Sequence, residues 1–165
     1  MYYLCQAIVP FYDAYGHNMT YTLLADGTQS TYCFSIKNYI YHMFYQVCLD
    51  PVAVRHYSSR ILHAKGNLPL LLSPDYIFIP VKMRRPIGRQ DGAFGYVRVD
   101  AIQSYENGII TLTSDKTLTT YSSDTYIAHK LKDAKLLRYA YSENRILVSV
   151  PESSSLRSKK EGAVI

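Results

Sequence analysis

The sequence predicts an α+β fold, a single small domain dominated by antiparallel β-strands with two principal α-helices. Three observations lead to this prediction. The chain has 165 residues, the usual length of one domain. Short apolar segments of strand length are separated by turn signals such as Asp26 and Gly27. Two longer stretches instead repeat apolar residues at helical spacing.

The strands are predicted from alternation, from short apolar runs and from the residues that interrupt them. Pro10 should end the first strand, because proline cannot donate to a β-ladder. Asp26 and Gly27 indicate a two-residue hairpin between the second and third strands, and residues 114–116 indicate another hairpin. The predicted strands are residues 2–9, 19–24, 28–34, 68–72, 76–80, 93–102, 109–113, 117–121 and 145–150.

The first helix is predicted to begin after Ser35, whose hydroxyl can cap it, and to reach Cys48. It must end before Pro51, because the residue preceding a proline avoids helical dihedrals. One apolar stripe should pack against the sheet. The inward stripe consists of Ile36, Ile40, Met43 and Val47.

A second apolar stripe on this helix predicts an interface between two copies of the chain. One small sheet can cover only one stripe, and exposed aromatic patches usually mark interfaces. The alternative is that residues 52–65, a short helix closed by Gly66 or an ordered loop, cover the second stripe. The predicted homodimer interface is Tyr41, Phe44, Tyr45 and Cys48.

The second principal helix is predicted over residues 124–139, with Ser122 or Ser123 as its cap. The folded domain should span residues 1–150. Residues 151–165 contain a run of three serines and a pair of lysines, which is typical of a flexible polar tail. The inward face of this helix consists of Ile127, Leu131, Ala134 and Leu137.

Basic residues are concentrated in the later part of the chain. There are 18 Lys and Arg against 13 Asp and Glu, a formal net charge of +5 at pH 7. All 18 basic residues lie from Lys37 onward, against 11 acidic residues there, which gives this part a net charge of +7. A basic domain attracts polyanions through its summed field and through counterion release. An ordinary soluble basic protein would show the same totals, so the placement of the charges has to decide.

Residues 81–92 form the strongest candidate for polyanion contact, with four basic residues and a single acid, Asp91. Guanidinium groups on a mobile, glycine-containing loop suit phosphate contacts and insertion into a narrow minor groove. The alternative is a solvated loop with a few salt bridges. We expect the loop to be exposed and its basic side chains to point to one side. These are Lys82, Arg84, Arg85 and Arg89.

Further basic residues extend the predicted DNA-binding set beyond the loop. The second principal helix carries a basic stripe opposite its apolar one, with Lys130 nearby, although such a stripe is often only a solvated face. The strand after the loop adds one arginine. The additional predicted DNA-binding residues are Arg98, Lys132, Lys135 and Arg138.

The sequence gives no support for an enzyme. It lacks GxSxG, HExxH, GxGxxG and P-loop motifs, and its five histidines fall into no ligand spacing. No catalytic residue, metal ligand or cofactor is therefore predicted. Cys5, Cys33 and Cys48 have no zinc-finger spacing and are expected to be reduced thiols of a cytoplasmic protein. We expect no membrane partner, because no signal sequence is visible and no apolar run could span a bilayer.

An ordered series of short motifs resembles the ComK-type competence transcription factors. The series begins with Pro-Leu-Leu-Leu-Ser-Pro at 69–74 and Ile-Phe-Ile-Pro at 77–80. Arg85 and Pro86 follow, then Gly-Tyr-Val at 95–97, residues 108–117 and the helix to Leu137. The resemblance extends over roughly residues 7–137. Tyr96 stands where the family typically has Trp, residues 50–55 are a shortened Ser/Gly-rich stretch, and the carboxy-terminal part does not match.

The resemblance implies a cytoplasmic activator of DNA-uptake genes that binds paired A/T-rich boxes largely through the minor groove. It implies double-stranded DNA as a partner, homodimers that assemble further on DNA, and a proteolytic adaptor as an additional partner. Only Arg85 and the strand at 95–97 are carried over as family positions. The departures leave a second interpretation open, a protein-interaction module derived from the family that has lost DNA binding.

Overall fold

The computed structural model describes residues 4–149, with side chains described from 4 to 144, and confirms the α+β class. Nine strands form two antiparallel sheets, and three helices pack around them within the described residues. The predicted tail at 151–165 lies outside those residues. Bounds of the larger sheet's strands are β1 Cys5–Tyr12, β2 Asn18–Leu24, β3 Gln29–Tyr32, β4 Leu70–Ser73, β5 Tyr76–Lys82 and β6 Phe94–Arg98.

The six-stranded sheet has the order β3-β2-β1-β6-β5-β4, so its first strand lies beside its last. A smaller sheet follows in the chain, with β7 Ile102–Glu106, β8 Ile109–Leu112 and β9 Thr117–Thr119. A single 3-10 turn at Val99–Ala101 connects β6 to it. The three helices are α1 Ile36–Gln46, α2 Pro51–Leu62 and α3 Asp124–Ser149.

The two faces of the larger sheet are buried by different elements. One face packs against α1 through a cluster that includes Ile8, Met43 and Phe78. The other face packs against α3 and the smaller sheet, and its cluster includes Ile79 and Ile127. Both faces of β5 are therefore covered. Because consecutive strand residues point to opposite faces, nearly every residue of β5 is buried and its sequence is a continuous apolar run.

The prediction that β1 stops at Pro10 is wrong, because the strand continues to Tyr12. Pro10 pairs with Thr20 of β2, whereas β6 pairs with β1 only at Ala7 and Ile8. Beyond Ile8, the side of β1 that faces β6 has no strand partner among the described strands. The N–H that Pro10 lacks is therefore not needed for a ladder hydrogen bond on that side. Proline is tolerated where a strand behaves as an edge.

One hairpin differs in loop length from its prediction, and another was not predicted. The turn at Asp26 and Gly27 is confirmed, but its loop has three residues between Leu24 and Thr28, and Gly27 adopts φ +83°. The hairpin between β7 and β8 was not predicted. Asn107 and Gly108 form its turn with φ 51° and 77°, which fits the positive φ values that a type I′ turn requires. An Asn-Gly pair is the strongest short hairpin signal, so this strand was predictable from the sequence.

Helix α1 exists as predicted, and the Ser35 hydroxyl accepts a hydrogen bond from Asn38 N, but its buried stripe is rotated. Val47 was predicted to be inward and is 44% exposed, because α1 ends at Gln46 and Val47 is its C-cap. Phe44 was predicted to be exposed and is only 1% exposed. The residues of α1 that are buried are Ile36, Tyr39, Met43 and Phe44.

The region left open at 52–65 is mainly helix α2. The Asp50 carboxylate accepts a hydrogen bond from Val52 N, and Pro51 occupies the first turn, where its missing N–H costs nothing. The predicted final strand at 145–150 is wrong over its described part, because α3 continues to Ser149. A short apolar run does not distinguish a strand from a continuing helix.

Gly95 lies where β6 passes close to β1, and we predict that Gly95→Ala destabilises the fold. A Cβ at this position would lie 2.7 Å from the Ile8 carbonyl oxygen and would overlap the Met83 sulfur. Backbone cannot move aside cheaply, so the free energy of unfolding should fall by about 1–3 kcal/mol. Urea denaturation measures the change.

Gly66→Ala is the matched control, because a Cβ there meets nothing within 4 Å. Its effect should stay within about 0.5 kcal/mol. Equal stability of the two variants would show that β1 and β6 are not packed as described.

Candidate nucleic-acid interface

The loop between β5 and β6 is held in place by the side chain of Arg84. Its Nε donates to the Gly92 carbonyl oxygen at 2.7 Å, which closes the loop across its base. Its Nη2 donates to Asn18 Oδ1 at 2.8 Å, which ties the loop to the start of β2. The guanidinium carbon also lies 4.3 Å from the centroid of the Tyr12 ring. Arg84 therefore anchors the loop to the β1–β2 hairpin.

Asp91 and Tyr12 complete this anchor from the other side of the loop. The Tyr12 hydroxyl donates to Asp91 Oδ2 at 2.7 Å and accepts from Ile87 N at 2.8 Å. Asp91 Oδ2 also accepts from Gly88 N at 2.9 Å. The Tyr12 hydrogen bond, followed by that from Gly88, holds the pKa of Asp91 below its usual range, with smaller contributions from Arg84 and Asn18. The carboxylate therefore stays charged and fixes the loop tip at neutral pH.

Arg84 is consequently not exposed, and the prediction that this loop cation would be exposed is wrong. Its exposure is 8%, and two of its nitrogens donate to groups within the fold. Arg84 is buried because the β1–β2 hairpin lies beside the loop in space and supplies both an aromatic face and an amide oxygen. The sequence could not show that these distant residues meet.

Three of the four loop cations remain exposed, namely Lys82, Arg85 and Arg89. The Arg85 guanidinium carbon lies 5.7 Å from the centroid of the Tyr121 ring. None of the three cations forms an ion pair with an acidic residue that the structure describes. Arg84 and Asp91 balance each other, so the surface of the loop carries a net charge of +3.

Arg98 and Arg138 lie away from the loop. Arg98 is at the end of β6 opposite the loop, where it pairs with Phe78, and its guanidinium lies near the Tyr76 ring. Arg138 Nη2 lies 3.1 Å from Asp100 Oδ1, and its Nε donates to the Pro74 carbonyl oxygen. The structure therefore does not place these two arginines with the loop cations, and the Asp100 pair neutralises Arg138.

Lys132 and Lys135 are exposed on α3, as a basic stripe requires. They follow the start of the helix by about 12 and 17 Å at 1.5 Å per residue. The nearby Lys130 is 7% exposed and pairs with Asp133 at 3.2 Å. The two exposed lysines thus lie about two and three turns into α3, whose start adjoins Lys82 through the hydrogen bond from Lys82 N to Ser122 Oγ.

Sequence reasoning missed the exposed apolar residues that accompany the loop cations. Tyr15 is 87% exposed at the tip of the β1–β2 hairpin, and Ile87 is 78% exposed at the tip of the loop. Tyr121 is 60% exposed beneath Arg85. The signal for Ile87 was available in the sequence, because Arg-Pro-Ile-Gly-Arg at 85–89 places an isoleucine between two arginines on a turn.

The predicted dimer patch is only partly present. Tyr45 is 65% exposed, Cys48 is exposed and Tyr41 is half-buried, with the Tyr41 and Tyr45 ring centroids 6.4 Å apart. Phe44 must be removed from the patch, because it is buried in the core cluster with Ile8 and Phe78. Val47, the C-cap of α1, and Val52, near the start of α2, are also exposed apolar residues.

A cleft of about 1030 Å³ lies between α1, the start of α2 and residues 90–96. Its walls include the apolar Phe44 and Phe94, and Lys37 and Arg55 are exposed at its edge.

Within residues 4–149, no three His, Cys, Asp or Glu side chains come together as metal ligands. Burial raises the pKa of the Cys5 thiol to about 12. No helix in the described part combines the length and apolar character needed to cross a membrane.

Comparison with known proteins adds no relative to this description. No protein-family model matches the chain, and no curated protein or solved structure is significantly similar to it.

We predict that replacing Arg84 destabilises the protein strongly and replacing Arg85 hardly at all, although they are neighbours in the sequence. Arg84→Ala removes two hydrogen bonds and the contact with Tyr12. The free energy of unfolding should fall by about 2–3 kcal/mol, because hydrogen bonds from a charged donor are among the stronger ones. Arg85→Ala should change it by about 0.5 kcal/mol or less.

Urea denaturation of both variants tests this pair. An Arg84→Ala protein as stable as wild type would show that Arg84 does not anchor the loop.

Proposed function

We propose that this protein is a DNA-binding transcription regulator that recognises A/T-rich duplexes mainly through the minor groove. The observation that supports this most is the anchored loop at 83–93, which presents Arg85 and Arg89 on a fixed backbone. The third loop arginine, Arg84, holds the loop in place. The two exposed arginines form no ion pair with an acidic residue among those described, so structural ion pairing does not account for them.

The geometry of the loop suits the minor groove. Gly88 lies against Asp91, and a Cβ at Gly88 would lie 2.9 Å from the Asp91 Oδ2 atom, so the turn leaves no room for a side chain at this position. The minor groove is about 6 Å wide and is narrower in A-tracts, where the negative potential is strongest. Arginines on a thin, rigid loop are suited to that potential.

The remaining cations have different roles in this proposal. Lys82, at the end of β5, is placed to contact a flanking phosphate, since phosphate contacts set position without reading sequence. Lys132 and Lys135 are a second candidate contact on α3. Arg84, Arg98 and Arg138 act inside the fold, the first as loop anchor and the third as partner of Asp100.

The resemblance to ComK-type factors supplies the finer part of the proposal. On that basis the protein would activate DNA-uptake genes in the cytoplasm, bind paired boxes as a homodimer or higher oligomer and meet a proteolytic adaptor. We propose no enzymatic activity and no cofactor. The exposed Tyr45, Val47 and Cys48 at the end of α1 provide an apolar surface for the second copy, and paired half-sites are matched by two-fold proteins.

A protein-interaction module is the second candidate function, and the cleft beside α1 favours it. The cleft combines apolar walls with two cations, Lys37 and Arg55, and one acid, Asp91, so its charged lining is net positive and fits an acidic peptide segment. Binding of such a peptide would leave the loop cations without a role. DNA binding and its salt dependence therefore separate the two candidates.

We predict that the double variant Arg85→Ala with Arg89→Ala weakens binding to an A/T-rich duplex and flattens its salt dependence. Each lost phosphate contact should reduce the slope of log K against log[salt] by about 0.9. Gel shifts at several salt concentrations give both quantities. The G/C-rich duplex should be bound less tightly by wild type, and the difference should shrink in the variant.

Lys116→Ala is the control for loss of charge alone. Lys116 is exposed in the β8–β9 turn beside the β2–β3 hairpin, away from the loop. A second comparison, Lys132→Ala with Lys135→Ala, shows whether α3 contributes. Equal loss of affinity in the Lys116 variant and the loop variant would reject the loop as the binding site.

We predict that Tyr41→Glu with Tyr45→Glu reduces the oligomeric mass in solution while the protein stays folded. A carboxylate is costly at the centre of an apolar interface, whereas Tyr45 is 65% exposed within its own chain. Light scattering measures the mass. Tyr139→Glu is the matched control, because Tyr139 is also 65% exposed, on α3. An unchanged mass in the double variant would exclude this helix as the dimer interface.

A further inference from the structure

Ile87 is an aliphatic side chain held in solvent by a well-braced backbone. Its N–H donates to the Tyr12 hydroxyl at 2.8 Å, and the next N–H, that of Gly88, donates to Asp91 Oδ2 at 2.9 Å. Pro86 fixes one backbone dihedral immediately before it. The Ile87 side chain is nevertheless 78% exposed. Single exposed apolar residues are common on protein surfaces, so a partner is indicated here only because this isoleucine lies on an ordered loop between exposed cations.

The surroundings of Ile87 restrict the chemistry of that partner. Arg85 and Arg89 lie two residues to either side, both exposed, and Lys82 adds a third cation at the base of the loop. The acid of the loop, Asp91, is engaged by Tyr12 and Gly88. The partner must therefore offer anionic groups around an apolar interior. Stacked base pairs between two phosphate backbones meet this requirement.

We propose that Ile87 inserts between two base pairs of the bound duplex from the minor-groove side, partly unstacks that step and bends the DNA. This inference rests on the proposed DNA-binding function. Arg85 and Arg89 then lie in the groove on either side of the inserted side chain. Proteins that bend DNA from the minor groove use single apolar side chains as wedges in this way.

The rigidity of the loop is what makes an isoleucine effective here. Unstacking a base step is costly, and a mobile loop would lose additional conformational entropy on insertion. Arg84 and Asp91 have already ordered the loop in the free protein. Gly88 keeps the tip thin, because a Cβ there would press against the Asp91 carboxylate. The wedge is thus preformed.

An anionic membrane also presents charge above an apolar interior, but the apolar surface at the loop tip is too small for it. Only Ile87 and the adjoining Pro86 are apolar and exposed in the loop tip. Even a single myristoyl chain, with many more methylene groups, gives only marginal membrane binding. One side chain suffices, in contrast, to open one base step.

The test uses A/T-rich duplexes in which 2-aminopurine replaces successive adenines, together with end-labelled duplexes for energy transfer. Wild-type protein should raise 2-aminopurine fluorescence at one step and shorten the end-to-end distance. Ile87→Ser should abolish both signals and weaken binding about tenfold, with an unchanged salt slope because the cations remain. Ile87→Leu should retain both signals. Urea denaturation checks that both variants fold like wild type.

The outcomes separate this inference from the proposed function. If wild type and Ile87→Ser bind with the same bend and the same fluorescence, DNA binding stands and the wedge is wrong. If wild type binds no duplex, both proposals fail. Binding to vesicles of phosphatidylserine and phosphatidylcholine in that case would assign the exposed tip to a lipid surface instead.

Discussion

One guanidinium group joins the β5–β6 loop to the β1–β2 hairpin, which lies far from it in the sequence. Arg84 contacts the ring of Tyr12 in β1, the amide of Asn18 in β2 and the backbone of Gly92 at the far side of its own loop. Asp91 reaches back to Tyr12 from the opposite direction. Because of these contacts, the remaining cations of the loop occupy fixed positions, and the narrow tip that the proposed function requires follows from them.

The use of one arginine as an anchor changes how the charge of the chain is interpreted. Counting basic residues assigned eight side chains to DNA, but Arg84 and Arg138 are engaged within the fold and Arg98 lies at the opposite end of β6. The surface that remains at the loop is smaller and includes apolar atoms. Three cations around one isoleucine form a more specific surface than a broad basic face, because a partner has to match both the shape of the loop tip and the charges beside it.

The sequence predicted the fold better than the site, for reasons that can be traced to particular residues. Periodicity identified α1 because Ile36 and Met43 repeat at helical spacing, and it identified the β2–β3 hairpin through Gly27. These are local signals. The burial of Phe44 depends on Phe78, 34 positions later, and the burial of Arg84 depends on Tyr12. Contacts at such separations have no local signature, whereas the missed turn at Asn107 did.

Hydrogen–deuterium exchange with and without an A/T-rich duplex tests whether the β5–β6 loop contacts DNA, because it locates the bound surface without changing the protein. We expect the duplex to slow exchange of the amides in residues 83–93 and at the β1–β2 hairpin that braces them. Exchange in the β8–β9 turn should be unchanged. Protection confined to α1 or α3, with the loop amides unaffected while the duplex is bound, would contradict it.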